Sequence, residues 1–369
     1  MSPVEKLPFQ SDIENINVKS FDVMPPPREM QARIPLSEKQ IETIKHGRSV
    51  VRNILDRKDS RFLVIAGPCS IHDPVAGLDY ARRLKRLVDE VGDVLFVIMR
   101  VYFEKPRTTT GWKGYINDPD IDDSFRVDVG MERARAFLRS IAEIGIPAAT
   151  ETLDPVSPQY LGDLVSWTAI GARTAESQTH REIASGLSTP VGFKNGTNGD
   201  IGIAINAILS ASRPHSFLGI NSEGHTSIVR TTGNHYGHIV LRGGDERPNY
   251  DARSVLIVEQ ALLKARLPAN IVIDCSHANS FKKHERQPLV MADAVDQICS
   301  GNHSLIGVMM ESNINAGNQI IPEDVSQLEY GRSITDACID WDLTEKMLYE
   351  AAERLHDVLP RRLSVFNQN

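Results

Sequence analysis

The chain has 369 residues, of which 41% are hydrophobic and 24% are charged, a balance typical of a globular enzyme with one large domain or two smaller ones. Its 41 Lys and Arg residues against 48 Asp and Glu residues leave a formal net charge of −7, which excludes a broad basic surface for nucleic acid. Four separated cysteines without a CxxC pair, and no apolar signal region or long apolar run, predict a reduced, cytoplasmic protein without a membrane span.

The N-terminal region is predicted to be an extension followed by one helix. Its first 35 residues are largely polar and include a stiff segment of three prolines, Pro25, Pro26 and Pro27. Ser37, with Gln40 three residues later, has the spacing of a capping box and predicts a helix over residues 38–56. We therefore predict a first unit of residues 1–60 that serves regulation or contacts between subunits.

Strand and helix signals alternate through the rest of the chain. Short apolar runs predict strands at residues 62–66, 94–101, 147–150, 168–170, 191–193, 216–220, 271–274 and 305–310. Helical periodicity predicts helices at residues 76–91, 129–144, 177–185 and 200–211. This alternation predicts an α/β fold, a closed (β/α)8 TIM barrel over residues 61–369. A doubly wound sheet is the competitor, but no GxGxxG motif opens the first helix.

One segment of the barrel carries a predicted insertion. Residues 226–231 and 238–241 are both strand-like, and Gly233 and Asn234 lie between them. An Asn beside a Gly is typical of a tight turn between antiparallel strands. We therefore predict a β-hairpin inserted at about residues 222–242, with residues 216–220 as the sixth barrel strand.

Cationic side chains close or follow several predicted strands. They are Arg100, Lys105, Arg107, Arg173, Lys194 and Arg242. Arg and Lys bind phosphate and carboxylate groups, and nearby glycines let backbone N–H groups approach an oxyanion as well. An isolated Arg is usually a solvated surface residue. Because barrel active sites lie at the C-terminal ends of the strands, the whole set predicts a small ligand with two anionic groups.

Potential metal ligands follow other predicted strands. Cys69 follows the first strand, His277 the seventh and Glu311 the eighth, while Asp336 lies in the loop beyond. Sulfur, nitrogen and oxygen donors together suit a divalent transition metal. The spacing leaves open that His277 is only a hydrogen-bonded loop residue. Cys275 is a rival sulfur ligand, although a buried cysteine more often packs as a small hydrophobe.

These segments together resemble the type I 3-deoxy-D-arabino-heptulosonate 7-phosphate (DAHP) synthases. The matching stretches, in order, are AGPCSIH at 66–72, MRVYFEKPRT at 99–108, GARTAES at 171–177, GFKNGT at 192–197, LRGG at 241–244, DCSHANS at 274–280, ES at 311–312 and SITD at 333–336. They cover the chain from about residue 62 to residue 336, so the resemblance extends over the whole predicted barrel.

The resemblance implies an enzyme that condenses phosphoenolpyruvate (PEP) with erythrose 4-phosphate and releases phosphate, the first step of the shikimate pathway to aromatic amino acids. It implies one divalent metal ion (Mn, Fe, Co or Zn). The implied metal ligands are Cys69, His277, Glu311 and Asp336. The implied PEP-binding residues are Arg100, Lys105, Glu151, Arg173, Lys194 and Arg242, and those for erythrose 4-phosphate are Arg107 and Thr108. Lys105 and His277 are the implied catalytic residues, with Lys105 a proton donor to the nascent alkoxide.

The resemblance also implies feedback inhibition by an aromatic amino acid and a homodimeric or homotetrameric assembly. The implied effector site comprises Pro158, Gln159, Leu187, Ser188, Phe217 and Gly219. Relatives that respond to phenylalanine tend to carry Ser at the position of Gly219, so the smaller glycine favours tyrosine or tryptophan as the effector. The competing interpretation is that Gly219 only relieves strain at a strand end.

Three other functions compete with this one. The sibling enzyme that joins PEP to arabinose 5-phosphate, a 3-deoxy-manno-octulosonate 8-phosphate synthase, is disfavoured by the Lys-Pro-Arg-Thr sequence at residues 105–108. A non-catalytic sensor of aromatic amino acids would need a broken site, whereas each ligand position is filled. A class II aldolase would need a His-rich zinc site, which the sequence does not contain.

Overall fold

The computed structural model of the chain describes residues 13–106, 111–245 and 247–366. Its helices are α1 (Pro27–Arg33), α2 (Glu38–Leu55), α3 (Pro74–Val91), α4 (Val127–Ile144), α5 (Ser157–Leu161), α6 (Gln178–Gly186), α7 (Ile201–Ala211), α8 (Ala252–Lys264), α9 (Gln287–Cys299), α10 (Trp341–Leu355) and α11 (Leu359–Phe366). Its strands are β1 (Phe62–Gly67), β2 (Leu95–Arg100), β3 (Ala148–Glu151), β4 (Trp167–Ile170), β5 (Val191–Lys194), β6 (Ser216–Ile220), β7 (Thr226–Arg230), β8 (Gly237–Leu241), β9 (Ile271–Asp274) and β10 (Leu305–Glu311).

Eight parallel strands close a barrel in the order β1-β10-β9-β8-β5-β4-β3-β2. The strands read as continuous apolar runs because both of their faces are buried. On β1, for example, Leu63 and Ile65 belong to the cluster inside the barrel, while Val64 and Ala66 pack outward against the helices. The predicted (β/α)8 barrel is therefore confirmed.

Helix α2 closes the N-terminal end of the barrel. Its apolar residues Val51 and Ile54 belong to the same buried cluster as Leu63 and Ile65 in the barrel interior. The helix begins with the predicted capping box, since the Gln40 backbone N–H donates to the Ser37 hydroxyl and the Gln40 side chain accepts from the Ser37 backbone. With this end covered, the C-terminal ends of the strands form the open mouth.

The inserted hairpin is present, and its predicted strand at residues 226–231 is confirmed, but the second predicted strand, at residues 238–241, is wrong. The hairpin consists of β6 and β7, which pair antiparallel from Ser216 with Arg230 to Ile220 with Thr226. Residues 216–220 are therefore not a barrel strand. Instead β8, which was predicted as half of the hairpin, lies in the barrel between β5 and β9.

Burial explains this difference. Alternate residues of β6 and β7 are exposed, as expected of a ribbon with one solvated face, whereas β8 is buried along almost all of its length. Asn234 does not form the hairpin turn. Its side-chain amide donates to the backbone carbonyls of Ala184, Leu187 and Thr189, and so fixes the entry to β8.

The N-terminal extension connects the hairpin turn to helix α5. The Arg28 backbone N–H donates to the Ser222 carbonyl at 2.9 Å, and the Arg28 guanidinium pairs with Glu223 at 2.7 Å. The Tyr160 hydroxyl of α5 donates to the Pro25 carbonyl at 3.0 Å. The division of the chain into units 1–60 and 61–369 stays a prediction. In the part of the chain described above, no helix is both long and apolar enough to cross a bilayer.

Candidate active site

A cavity of about 410 Å³ opens at the C-terminal ends of the barrel strands. It is lined by six residues predicted to bind PEP: Arg100, Lys105, Glu151, Arg173, Lys194 and Arg242. His277 and Asp336 of the predicted metal site line it too. Arg247 and Lys282 add two further cations that the sequence patterns do not single out, because neither closes a strand. The predicted residues for erythrose 4-phosphate, Arg107 and Thr108, lie outside the described residues.

Three predicted metal ligands form a compact group beside this cavity. One donor atom each from Cys69, Glu311 and Asp336 lies within 4.8 Å of the others, and Cys69 Sγ is 3.6 Å from Asp336 Oδ2. The fourth, His277, places Nε2 3.9 Å from Glu311 Oε1. Ligand bonds of about 2.0–2.3 Å place donor atoms on one ion roughly 3–4 Å apart. The spacing and the mixed sulfur, nitrogen and oxygen donors therefore fit a divalent transition metal.

The thiol of Cys69 is fully buried where β1 ends. Burial raises the pKa of Cys69 to about 11, and the nearby carboxylate of Glu311 adds to this effect. A thiolate at this position therefore requires a compensating positive charge. The rival thiol of Cys275 is packed in the hydrophobic core between strands and helices, outside the group of Cys69, Glu311 and Asp336.

His277 is oriented by the buried residue Asp274, which closes β9. His277 Nδ1 lies 2.9 Å from Asp274 Oδ2 and 2.9 Å from the Ser276 hydroxyl, which leaves Nε2 directed towards Glu311. The backbone of His277 is left-handed, with φ of 55°, a conformation that costs a non-glycine residue about 1–3 kcal/mol. Neighbouring contacts must therefore hold this turn in place.

Asp274 also holds the cation Lys194, whose Nζ atom lies 2.9 Å from Asp274 Oδ2. Burial alone would raise the pKa of Asp274, but the charges of His277 and Lys194 outweigh burial and lower it well below the usual range. Asp274 is thus an anion that orients one implied metal ligand and one implied phosphate ligand. The available signal in the sequence was an acidic residue at the end of an otherwise apolar strand.

Lys105 connects the metal group with the cavity. Its Nζ atom donates to Cys69 Sγ at 3.0 Å and to the Cys69 carbonyl at 3.3 Å. Burial disfavours the charged amine, but the negative charges of Cys69 and Glu311 outweigh it and raise the pKa of Lys105 above its ordinary value. Lys105 is therefore a protonated side chain, and the raised pKa means that it gives up this proton only to a strongly basic group such as an alkoxide.

Arg100 joins the ends of β1, β2 and β10. Its guanidinium pairs with Glu311 at 3.0 Å, donates to the carbonyls of Pro68 and Cys69, and lies 3.5 Å from the centre of the Tyr102 ring. The Glu311 backbone is held in turn by Gln287, whose amide both accepts from and donates to it at 2.9 Å. Gln287 is a supporting residue that sequence patterns did not indicate.

Two arginines, Arg173 and Arg242, line the cavity close enough for their charges to interact. Burial lowers the pKa of Arg242, and the charge of the nearby Arg173 contributes to this shift. The Arg242 backbone N–H donates to Asn195 Oδ1 at 2.9 Å, which fixes the start of the following loop. Because like charges held close together repel, an anion bound between them would relieve the repulsion.

A second cavity of about 350 Å³ lies beside the first, and Glu151 lines both. The Glu151 carboxyl group lies against the backbone of Gly171. A Cβ atom on Gly171 would be 2.3 Å from Glu151 Oε1, so only a glycine at this position leaves room for Glu151 between the two cavities. Four of the predicted effector residues line the second cavity: Pro158, Gln159, Leu187 and Ser188.

The other two predicted effector residues, Phe217 and Gly219, lie on β6 of the adjoining hairpin and do not line this cavity. The end of the hairpin nevertheless contacts the edge of the cavity. The hydroxyl of Thr231, which follows β7, lies 2.7 Å from the hydroxyl of Ser185 near the end of α6. A Cβ atom on Gly219 would lie 2.9 Å from Val229 Cγ2, so any larger residue there would require Val229 to move.

Comparison with known proteins gives a consistent result. The family model described as the DAHP synthetase I family matches residues 33–349. The Tyr-sensitive phospho-2-dehydro-3-deoxyheptonate aldolase of Salmonella typhimurium is 50% identical over 352 residues, covering 95% of the chain and 99% of that protein. The Phe-sensitive aldolase of Escherichia coli K12 is 52% identical over 344 residues, covering 93% and 97%.

A solved structure is also similar. The phospho-2-dehydro-3-deoxyheptonate aldolase from Francisella tularensis SCHU S4 matches with a TM-score of 0.90 at 47% identity, covering 92% of this chain and 99% of that chain. Both the extent of the matches and their identity are well above what a shared barrel alone would produce. The chain therefore belongs to the DAHP synthetase I family and is an enzyme of the DAHP synthase class.

Proposed function

We propose that this enzyme condenses PEP with D-erythrose 4-phosphate and water to give DAHP and inorganic phosphate, the first step of aromatic amino acid biosynthesis. The observation that carries the proposal is a single cavity that is lined by several strand-end cations and by Asp336 of the group of Cys69, Glu311 and Asp336. Such an arrangement suits a ligand with a phosphate and a carboxylate, held beside an electrophile. The names of the similar proteins favour this reaction over condensation with arabinose 5-phosphate.

We assign the phosphate of PEP to Arg173, Lys194 and Arg242, and its carboxylate to Arg100 with Lys105 near it. Two separate anion sites orient PEP, and orientation contributes up to about 7–11 kcal/mol in the best cases. Glu151 limits the cavity on the side of the second cavity. Arg107 and Thr108 remain the proposed residues for the erythrose phosphate.

The residues Cys69, His277, Glu311 and Asp336 would hold a divalent metal ion, with Mn, Fe, Co and Zn as candidates. A bound ion would supply Lewis-acid polarisation of the aldehyde oxygen. Asp274 would keep His277 Nδ1 occupied, so that only Nε2 is free to act as a ligand.

The remaining steps follow from the placement of the chain's own groups. The C3 atom of PEP forms the new bond to the aldehyde carbon, and protonated Lys105 donates a proton to the resulting alkoxide. The electrons of the C2–C3 double bond of PEP form the new bond and leave C2 electron-poor. Water adds at C2 and loses a proton, and cleavage of the bond between C2 and the phosphate oxygen then releases phosphate. The nearby Arg173 and Arg242 stabilise the charge on the departing phosphate.

We further propose that an aromatic amino acid inhibits the enzyme from the second cavity, hereafter the α5 cavity, lined by Pro158, Gln159, Leu187 and Ser188. Gly219, and Phe217 on the same hairpin, would set the preference, with tyrosine or tryptophan favoured over phenylalanine. The similar proteins include members named Tyr-sensitive and Phe-sensitive. A homodimer or homotetramer stays a prediction.

The test is an assay of PEP consumption with purified protein. Erythrose 4-phosphate is expected to support turnover and arabinose 5-phosphate is not. A chelator is expected to abolish activity, and each candidate metal is then added back separately. The three aromatic amino acids are titrated in turn. Turnover with arabinose 5-phosphate alone, or full activity of metal-free protein, would contradict the proposed reaction.

A further inference from the structure

The wall between the active-site cavity and the α5 cavity contains two consecutive residues that face opposite sides. Glu104 lines the α5 cavity, while Lys105 lines the active-site cavity and donates to Cys69. Any displacement of the backbone at Glu104 must therefore also displace Lys105. The short segment after β2 thus belongs to both cavities at once.

The carboxyl group of Glu104 is anchored on the α5 side. Its Oε2 atom accepts a hydrogen bond from the Ser157 hydroxyl at 3.1 Å, and the carboxyl also accepts from the backbone N–H of Asp154. Glu104 is only 5% exposed, so its carboxyl group relies mainly on protein partners. Ser157 is the first residue of α5 and directly precedes Pro158 and Gln159, which line the cavity.

The other side of the segment is fixed by backbone packing. The Lys105 backbone N–H donates to the Lys113 carbonyl at 2.9 Å. Gly114, with φ of 120°, lies so close that a Cβ atom there would be 2.0 Å from the Phe103 carbonyl oxygen. Because this side is closely packed, the hydrogen bond between Ser157 and Glu104 gives α5 a direct contact through which it acts on the segment.

We propose that Glu104 is a positioning residue that transmits occupancy of the α5 cavity to Lys105. The inference rests on the proposed function, since it names how the proposed effector reaches the proposed proton donor. A ligand against Pro158 and Gln159 displaces the start of α5, and Ser157 then shifts Glu104. Lys105 Nζ moves away from the Cys69 carbonyl and thiol, and the proton donor is no longer correctly placed.

The charged surroundings of Glu104 make this contact sensitive to pH. Burial, followed by the charge of Asp154 and with a smaller contribution from Glu151, raises the pKa of Glu104 to about 7, against the opposing hydrogen bonds from Ser157 and Asp154. The other charged groups around the α5 cavity are Arg48 from α2 and Asp163 after α5. The carboxyl group is therefore partly protonated near neutrality, so its strength as an acceptor changes there.

The first test separates binding of the effector from its effect. Glu104→Gln and Ser157→Ala are compared with wild type for amino acid affinity by calorimetry, and for the ratio of kcat/KM without and with saturating effector. Allosteric factors are typically about 5- to 150-fold. Both variants are expected to bind the amino acid while this ratio falls towards 1. Unchanged binding with an unchanged ratio in either folded variant overturns the proposal.

The control is Glu353→Gln, which removes one exposed carboxylate from α10, far along the chain from both cavities. It is expected to leave the ratio at the wild-type value. A fall in the ratio for this variant as well would show a general effect of charge and would overturn the proposal.

The second test does not require an effector. If none of the aromatic amino acids inhibits wild type, the effector part of the proposed function fails, and the positioning of Lys105 is then judged from pH profiles. Between about pH 6 and pH 8, kcat of wild type is expected to show an inflection that Glu104→Gln lacks, with KM for PEP nearly unchanged. Superimposable profiles would refute the positioning role.

Discussion

The imidazole Nδ1 atom of His277 lies 2.9 Å from the Oδ2 atom of the buried Asp274, while its Nε2 atom is directed towards Glu311. Removal of the partner of a ligating histidine typically weakens metal affinity by about 10- to 100-fold. We expect Asp274→Asn to lower the affinity for a divalent metal by this factor, measured by calorimetric titration of metal-free protein. An affinity equal to that of wild type would contradict the assigned role.

Cys69 is the one sulfur donor in the proposed metal site. We expect Cys69→Ser to weaken binding of a divalent transition metal, because a hydroxyl group lacks the softness of a thiolate. Metal content after dialysis, measured by elemental analysis, tests this. The matched control is Cys299→Ser, which changes an exposed cysteine outside the site and is expected to keep the wild-type content. Equal losses in both variants would argue against a ligand role for Cys69.

The two proposed phosphate sites predict opposite kinetic effects. Arg107→Ala is expected to raise KM for erythrose 4-phosphate more than KM for PEP, and Arg173→Ala is expected to do the reverse. Loss of a charge-assisted hydrogen bond typically costs about 1.5–3 kcal/mol, or roughly tenfold or more in affinity. Steady-state kinetics with each substrate varied in turn measures the difference. If both variants change only KM for PEP, two separate sites do not exist.

Gly219 is predicted to influence which amino acid inhibits. Gly219→Ser is expected to shift the preference towards phenylalanine, although the new side chain must displace Val229, whose Cγ2 atom would lie 2.9 Å from its Cβ. Inhibition constants for the three aromatic amino acids measure the shift. Strong inhibition of wild type by phenylalanine alone would show that the predicted preference is incorrect.

The raised pKa of Glu104 predicts a dependence of stability on pH. The folded protein holds this proton more tightly than the unfolded chain, since the pKa rises from an ordinary 4.5 to about 7. The resulting stabilisation is complete below the ordinary pKa and is lost as pH rises through about 7. Relative to wild type, Glu104→Gln should therefore gain up to about 3 kcal/mol between about pH 4 and pH 8.

Urea unfolding of both proteins across this pH range measures that gain. The Glu353→Gln variant, with its exposed carboxylate, serves as the control and is expected to follow wild type at each pH. A constant difference in stability between Glu104→Gln and wild type at all pH values would mean that Glu104 has an ordinary pKa in the folded protein.

Local patterns in the sequence were sufficient to predict the barrel and much of the site. Apolar runs that are buried on both faces indicate parallel strands, and the Ser37 and Gln40 capping box marks the start of α2. Because the C-terminal ends of parallel strands meet at one edge, residues such as Arg100, Lys194 and Glu311 could be grouped without knowledge of any contact.

The local sequence pattern could not predict which strand-like segment joins the barrel and which forms the hairpin. Residues 216–220 and 237–241 both have strand character, but only β8 pairs with β5 and β9 to close the barrel. The positioning residues depended on tertiary contacts in the same way. Gln287 holds Glu311 across 24 residues, and Glu104 meets Ser157 across 53 residues.

The sequence by itself determined which groups stand at strand ends, because that depends on periodicity over a few residues. Only the closed barrel decided which of those groups touch, since hydrogen bonds between distant segments form once packing has brought their backbones together.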